Sequence, residues 1–455
     1  MPNTDAPVNA WIFLEEDDPS GSNYKTPGSS YQNAVTNGVY AYVDLLSICW
    51  VNTAQTSNGY SIELQTCTHP GGATNLDYMK WVMADARAAN PSIKIVAMMG
   101  YGCDEITQLF SGPQSGWQQV VDQYAQNIVA YLQQYGLDGL DVDWEPDFSS
   151  ETSQSQFAMA FTAIGKAFKA QANPLILAMG PSTAENLDPG TVNGYFDFLS
   201  LQVYGGADPD SFTGIGIKKS LLYYGAKFEP DGGVPYQNAQ AAYRAFTDGE
   251  YSGITQWRLN SNDFQYEQAQ QMILYQLVKG TGPNFNDGPI ISAAGNPAIG
   301  QLVIRHGDVV DALQATNPSS FQGNPVSYQL LQHGGNGGQA TTVTVPTGDA
   351  ISSISGYTGV WYGWQCVLQI SIHTQQGLTF GPFGSMAGST SQTPFTFTAP
   401  AGQSIVAFSG STQIVPQASG LDTAILTQIK PIFAATPSSS TASSKSASNA
   451  TLAKT

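Results

Sequence analysis

Asp138-Gly139-Leu140-Asp141-Val142-Asp143-Trp144-Glu145 is the stretch on which the reading of this chain turns. Side chains alternate along a strand, so Leu140, Val142 and Trp144 face one way and Asp141, Asp143 and Glu145 the other. Such a row suits the inside of a barrel whose outer face is packed under helices. Three carboxyls in that interior cannot all ionise freely. Repulsion and desolvation must raise at least one pKa. Glu145 ends the row at the strand's C-terminal end, where barrel active sites sit, and a carboxyl kept protonated there by its neighbours is a ready general acid. A solvated polar strand face is the plainer alternative. A hard-cation site is another, but the D-x-D-x-D-G order of a calcium loop is missing and no second acidic cluster stands out.

Around this strand, the first ~275 residues alternate short apolar runs with helix-period segments, the signature of strand–helix repetition. The candidate strands are Trp11–Leu14, Tyr40–Val51, Ile93–Met99, Leu140–Glu145, Leu175–Met179, Phe198–Tyr204, Leu222–Lys227 and Gly253–Trp257. Between them lie segments such as Val121 to Tyr135, apolar on one helical face and followed by Gly136 where a left-handed cap is wanted. Eight strands each followed by a helix is the arithmetic of a (β/α)8 TIM barrel, an α/β fold. A doubly wound sheet is the rival, but no GxGxxG or Walker A element follows an early strand. The barrel is expected over 1–279 and a Gly/Pro/Asn linker over 280–288. An all-β domain is expected over 289–434 and a disordered Ser/Ala/Thr-rich tail over 435–455.

Composition narrows the function. Of 455 residues only 11% are charged, and 34 acidic against 16 basic groups give a net charge of −18. A surface that acidic repels nucleic acid and anionic lipid, so neither nucleic acid nor membrane is an expected partner. A surface of Ser, Thr, Gln, Asn and 47 Gly suits neutral polar ligands instead. No apolar run reaches the roughly 18 residues that would span a bilayer. The N-terminus lacks a basic region and a secretory h-region. Localisation is therefore read as cytoplasmic or leaderless export. Cys49, Cys67, Cys103 and Cys366 are too dispersed for a disulfide framework or a CxxC site, and one bridged pair is the most they would form on export. His69, His306, His333 and His373 make no HxxxH pattern, so neither metal nor cofactor is expected. The one sequon, Asn449-Ala-Thr451, lies in the tail.

Asp138-x-x-Asp141-x-Asp143-x-Glu145 resembles the DxxDxDxE signature of glycoside hydrolase family 18, the chitinases and endo-β-N-acetylglucosaminidases. The resemblance implies a barrel and a substrate-assisted, retaining mechanism, an exception to the two-carboxylate scheme. In that mechanism Glu145 protonates the glycosidic oxygen and the substrate's acetamido oxygen attacks the anomeric carbon. Asp143 orients the acetamido group, Asp141 shares a proton with Asp143, and Glu145 then activates water. Gln202-Val-Tyr204 is similar to the family's Q-x-Y element, whose tyrosine meets the acetamido carbonyl. Trp257 resembles the tryptophan that floors the −1 sugar site. Asp138, Gln202 and Trp257 make up the implied substrate-binding set. Two departures stand out: Met98-Met-Gly100-Tyr101 in place of S-x-G-G, and Gly205 where Asn or Asp commonly follows the tyrosine.

Farther on, Arg305-His-Gly-Asp-Val-Val-Asp-Ala-Leu313, His333-Gly-Gly-Asn-Gly-Gly338, Ile351 to Gly359, Thr379 to Gly384 and Ile405 to Gly410 together resemble a jacalin-related lectin domain. The resemblance implies a β-prism of three four-stranded sheets that binds sugars without a metal. Asp422 matches the carboxylate of the family's Gly-x-x-x-Asp loop, while Ala418 replaces its glycine. Trp364 and Gln365 fall on another loop that could contact a hexose. The alternative is a structural β module whose sugar site has decayed. The expected function is thus a chitinase-type glycosidase cleaving β-1,4 bonds next to N-acetylglucosamine. Its partners would be chitin and its oligosaccharides or N-glycans, with mannose-type sugars at the lectin domain. An endo-β-N-acetylglucosaminidase on N-glycans is the second reading. A non-catalytic chitinase-like lectin is a third, weakened by the intact Glu145.

Overall fold

The computed structural model describes residues 5–14, 24–100, 104–146, 151–231, 234–280, 284–416 and 423–435. Cys103, Ala418, Asp422, the stretch from 436 onward and its sequon at Asn449 lie outside these residues. The chain forms two compact units. The first takes in everything up to Gly295 together with Ser319–His333 and Ser409–Ser411, and the second the remainder.

The strands of the first unit's nine-stranded sheet are β1 (Val8–Phe13), β2 (Leu45–Thr56), β3 (Gly59–Leu64), β4 (Lys94–Met99), β5 (Gly139–Trp144), β6 (Ile176–Pro181), β7 (Phe198–Leu201), β8 (Leu222–Lys227) and β9 (Gly253–Trp257). All but β3 run parallel in the order β1-β9-β8-β7-β6-β5-β4-β2, and β2 pairs back onto β1 to close an eight-stranded barrel. Among the described residues each barrel strand is followed by a main helix: α1 (Ser30–Thr36), α2 (Asn75–Ala89), α3 (Trp117–Tyr135), α4 (Gln154–Lys169), α5 (Pro189–Tyr195), α6 (Pro209–Gly214), α7 (Ala239–Asp248) and α8 (Phe264–Lys279). The fold class read from the sequence holds.

Local chemistry explains the helix limits. Thr74 and Asp77 form a capping box at the start of α2, as Ser153 and Gln156 do for α4. In α3, Val121, Tyr124, Ala125, Ile128 and Leu132 are buried, and Gly136 at φ 68° stops the helix. The alternation on β5 is also realised. Trp144 is buried under α4, with its ring 5.1 Å from Phe157 and 6.3 Å from Phe161. Inside, Leu45, Val96, Ala178, Phe198 and Tyr223 form an apolar layer that plugs the N-terminal end of the barrel.

The second strand departs from expectation. Val39–Tyr42 is a 3-10 turn, and β2 runs on to Thr56 before folding back as the antiparallel strand β3. The signal was present as Asn58-Gly59 between two alternating segments, a favoured hairpin turn. Asn127 of α3 clasps this hairpin, donating to the carbonyls of Asn58 (2.8 Å) and Tyr60 (2.7 Å).

The long strands beyond residue 300 form antiparallel sheets. Val310–Phe321, Gln301–His306 and Gln339–Thr344 lie side by side in that order. A four-stranded sheet contains Thr379–Phe383, Trp364–Thr374, Ile351–Trp361 and Ser389–Thr398. Gln403–Val415 pairs with Thr423–Ala435.

Candidate active site

Asp141 and Asp143 point into the closed barrel above the apolar plug and are both fully buried. Ser47 of β2 donates its hydroxyl to Asp141 Oδ2 at 2.9 Å. Hydroxyl support for the acidic row therefore comes from β2. On β4, Met98 is buried with Cys49, their sulfurs 3.5 Å apart. Gln202, just past β7, donates from Nε2 to Asp143 Oδ1 at 2.7 Å and to the Gly180 carbonyl at 2.9 Å. Asp143 Oδ2 is buried with no hydrogen-bond partner among the described residues.

Burial acts on both of these carboxyls. Burial pushes Asp141 up to about 6, against the Ser47 hydroxyl, the Val142 backbone and the Trp11 indole, which pull it down. Asp143 is held well above the usual carboxylate range by burial first, then by the charges of Glu145 and Asp141, with Gln202 opposing. Glu145 follows directly after β5 and is half-buried at the C-terminal mouth.

Tyr204 sits in a single turn after β7, its ring 6.0 Å from that of Trp257 at the end of β9. Burial raises its phenol well above its ordinary value, helped by the charges of Asp143, Glu145 and Glu229, so the hydroxyl stays a donor. Trp257 is half-buried and meets Trp11 at 4.8 Å and Phe13 at 5.2 Å, both edge-on. Phe13 meets Trp50 at 4.8 Å. The mouth thus carries an aromatic wall beside an acidic centre, suited to a sugar whose C–H face packs on rings while its polar edge meets carboxyls.

Asp141, Asp143, Gln202, Glu145, Tyr204 and Trp257 are brought to one end of the barrel. Asp138 is not, and its expected place in the substrate-binding set is corrected. It precedes Glu145 by some 23 Å of strand, at about 3.3 Å per residue. Its carboxylate accepts from the Ile95 amide at 2.9 Å and pairs with Lys94 (3.2 Å) and Arg87 (3.4 Å). It ties strand ends together at the opposite rim.

Several neighbours escaped the sequence reading: Ser47, Trp11, Phe13, Trp50, Glu229 and Arg258. Trp11 and Phe13 alternate inward on β1, while Glu229 and Arg258 fall within two residues of a strand's C-terminal end, where barrel sites are built. In the second unit, Trp364 packs on the cluster of Val309, Cys366, Leu368, Val415 and Ile425, while Gln365 is exposed. Consecutive strand residues face opposite ways, so the two do not share a face. Cys49, Cys67 and Cys366 are free thiols. Among the described residues no three His, Cys, Asp or Glu side chains gather as metal ligands would, and no helix is long and apolar enough to cross a membrane.

The family described as glycosyl hydrolases family 18 matches residues 15–245, just over half of the chain. The jacalin-like lectin domain matches residues 279–417. Among solved structures, a family 18 chitinase from the chitin utilization locus of Flavobacterium johnsoniae is 14% identical, covering 60% of this chain and 93% of its own, with a TM-score of 0.42. A class V chitinase from Nicotiana tobaccum is 12% identical over 61% of this chain and 99% of its own, at 0.44. A mannose binding jacalin related lectin from Ananas comosus is 28% identical over 30% of this chain and 83% of its own, at 0.22.

Proposed function

The chain belongs to glycosyl hydrolases family 18 and carries a jacalin-like lectin domain, and from that premise we propose that its barrel cleaves β-1,4 bonds next to N-acetylglucosamine by substrate-assisted, retaining catalysis. The observation that carries the proposal is Asp143. It is buried, driven toward its neutral form, and fixed by Gln202 beside Glu145 and Tyr204. A neutral carboxyl in that position can exchange a proton with its neighbours and hydrogen-bond an acetamido group.

Glu145 gives its proton to the glycosidic oxygen as the bond from that oxygen to the anomeric carbon breaks. The acetamido oxygen of the same sugar forms the new bond to the anomeric carbon, closing an oxazolinium ring. Asp143 accepts the acetamido N–H and stabilises the positive ring, while the Tyr204 hydroxyl donates to the acetamido oxygen and holds it in line. Asp141 takes up the shared proton when Asp143 ionises. Glu145 then removes a proton from water as it attacks the anomeric carbon from the face the leaving group left, and the bond from that carbon to the acetamido oxygen breaks, reopening the ring and restoring the acetamido group. Trp257 floors the sugar. The lectin domain holds the enzyme on a glycan, with Asp422 and the exposed Gln365 proposed for its sugar contacts, while Trp364 faces the core on the other side of the strand it shares with Gln365. The division at 279 and 289 is part of the same proposal.

The test is hydrolysis of chitin oligosaccharides and of a high-mannose glycopeptide, each run beside Glu145→Gln. Oligosaccharide cleavage that vanishes in the variant is the expected result. Cleavage of the glycopeptide alone would make the enzyme an endoglycosidase. Neither substrate cut, with equal sugar binding by both proteins, would leave a lectin.

A further inference from the structure

Four side chains at the barrel mouth close a ring of contacts that the proposed reaction does not use. The Trp257 ring meets Phe13 at 5.2 Å. The Arg258 guanidinium lies 4.9 Å over the same Phe13 ring. Arg258 grips Glu229 through Nε on Oε2 (3.2 Å) and Nη2 on Oε1 (3.0 Å). Glu229 Oε2 completes the ring by accepting the Trp257 indole N–H at 2.8 Å.

Trp257 ends β9 and Arg258 follows it; had the strand continued, the two side chains would have pointed to opposite faces and not reached one carboxylate. They do so because Arg258 has φ 27°, on the left-handed side that non-glycine residues avoid. That turn sends its side chain back toward that of Trp257. Gln256 Nε2 holds the Arg258 carbonyl at 2.8 Å, and the Leu259 amide donates to the Trp11 carbonyl at 2.8 Å. Strain held in place by surrounding contacts, at the rim of a candidate active site, calls for a role.

We propose that Glu229 and Arg258 are positioning residues that set the orientation of the Trp257 indole. The edge contacts with Trp11 and Phe13 fix the tilt of the ring but not the direction of its N–H. Of these contacts only that to Glu229 is directional. Arg258 acts through Glu229. Its side chain is 13% exposed and that of Glu229 22%, so the forked pair is shielded from solvent and holds the carboxylate in one plane. The consequence is a sugar platform set before the substrate arrives. The inference rests on Trp257 as the platform of the proposed site.

The full-length protein and chitotetraose test it. Glu229→Ala raises KM by about tenfold or more, whereas Glu229→Gln, which keeps an acceptor oxygen, stays within about threefold of wild type. Trp257→Phe keeps an aromatic ring but has no N–H, so in that background Glu229→Ala adds less than about twofold. Equal losses in both backgrounds would overturn the clamp. The same series in a Glu145→Gln background, read as Kd by calorimetry, separates this from catalysis. Non-additive Kd changes without turnover in the parent protein would uphold the clamp and sink the hydrolase reading. Additive Kd changes, or no binding of chitotetraose at all, would overturn the clamp.

Discussion

Asp143 and Glu267 are buried carboxyls of opposite use. Asp143 is expected to act by its charge, so Asp143→Asn, nearly the same shape, should lower kcat by about 10²–10³-fold while leaving Tm close to wild type. An unchanged kcat would remove Asp143 from the mechanism. Glu267 of α8 lies beneath the loop after β9, accepting from the Ser261 hydroxyl and from its amide (2.9 Å). Burial pushes it from 4.5 up to about 8. The folded chain therefore keeps a proton that the unfolded chain releases near pH 4.5. Its contribution to stability is full below that pH, declines as pH rises, and is gone above about 8. Asp141 adds a smaller decline between 3.8 and about 6. Thermal melts from pH 4 to 9 should fall for the wild type and fall less for Glu267→Gln; parallel curves would exclude Glu267 as a source of the slope. At this scale the acidic row was legible because its residues are local and their alternation carries the chemistry. Glu267 was not, because its burial depends on a loop packing over it. Asp138 misled because the signature contains it while the strand carries it to the far rim.

Gly180 governs how β6 meets β1. A Cβ there would stand 2.7 Å from two ring carbons of Trp11, whose indole must then shift against Trp257. Gly180→Ala should cost about 1–3 kcal/mol, and kcat/KM should fall with it. Gly112→Ala, where nothing lies within 4 Å, is the control and should leave both unchanged. Equal behaviour of the two variants would show that the site tolerates movement of Trp11. The barrel strands were readable from apolar runs separated by helix-length segments. The hairpin strand β3 was passed over because Gly59-Tyr-Ser-Ile-Glu-Leu64 buries only Ile62 fully, so its apolar signal is weak. The aromatic wall was equally hidden. Trp11, Trp50 and Trp257 are far apart in sequence and meet only when the barrel closes.

A glycosidase tethered to a lectin gains effective concentration on any glycan that both can engage. If the second unit takes mannose-type sugars, saturating methyl mannoside should raise KM for a high-mannose glycopeptide by about tenfold or more and leave chitotetraose hydrolysis untouched. Equal kinetics on the glycopeptide with and without the competitor would show that the lectin plays no part in its capture. The closure of the barrel has a consequence for how the chain comes into being. β1 lies between β2 and β9, and Ala10 pairs with Gln256, roughly 250 residues later, a contact of very high sequence separation. At about 5–20 residues per second, a ribosome needs roughly 10–50 s to deliver β9 after β1. Throughout that interval Val8–Phe13, every residue of which is buried in the finished barrel, has an open edge and no partner there. A slower ribosome lengthens the time for which that edge is open to pairing with another chain.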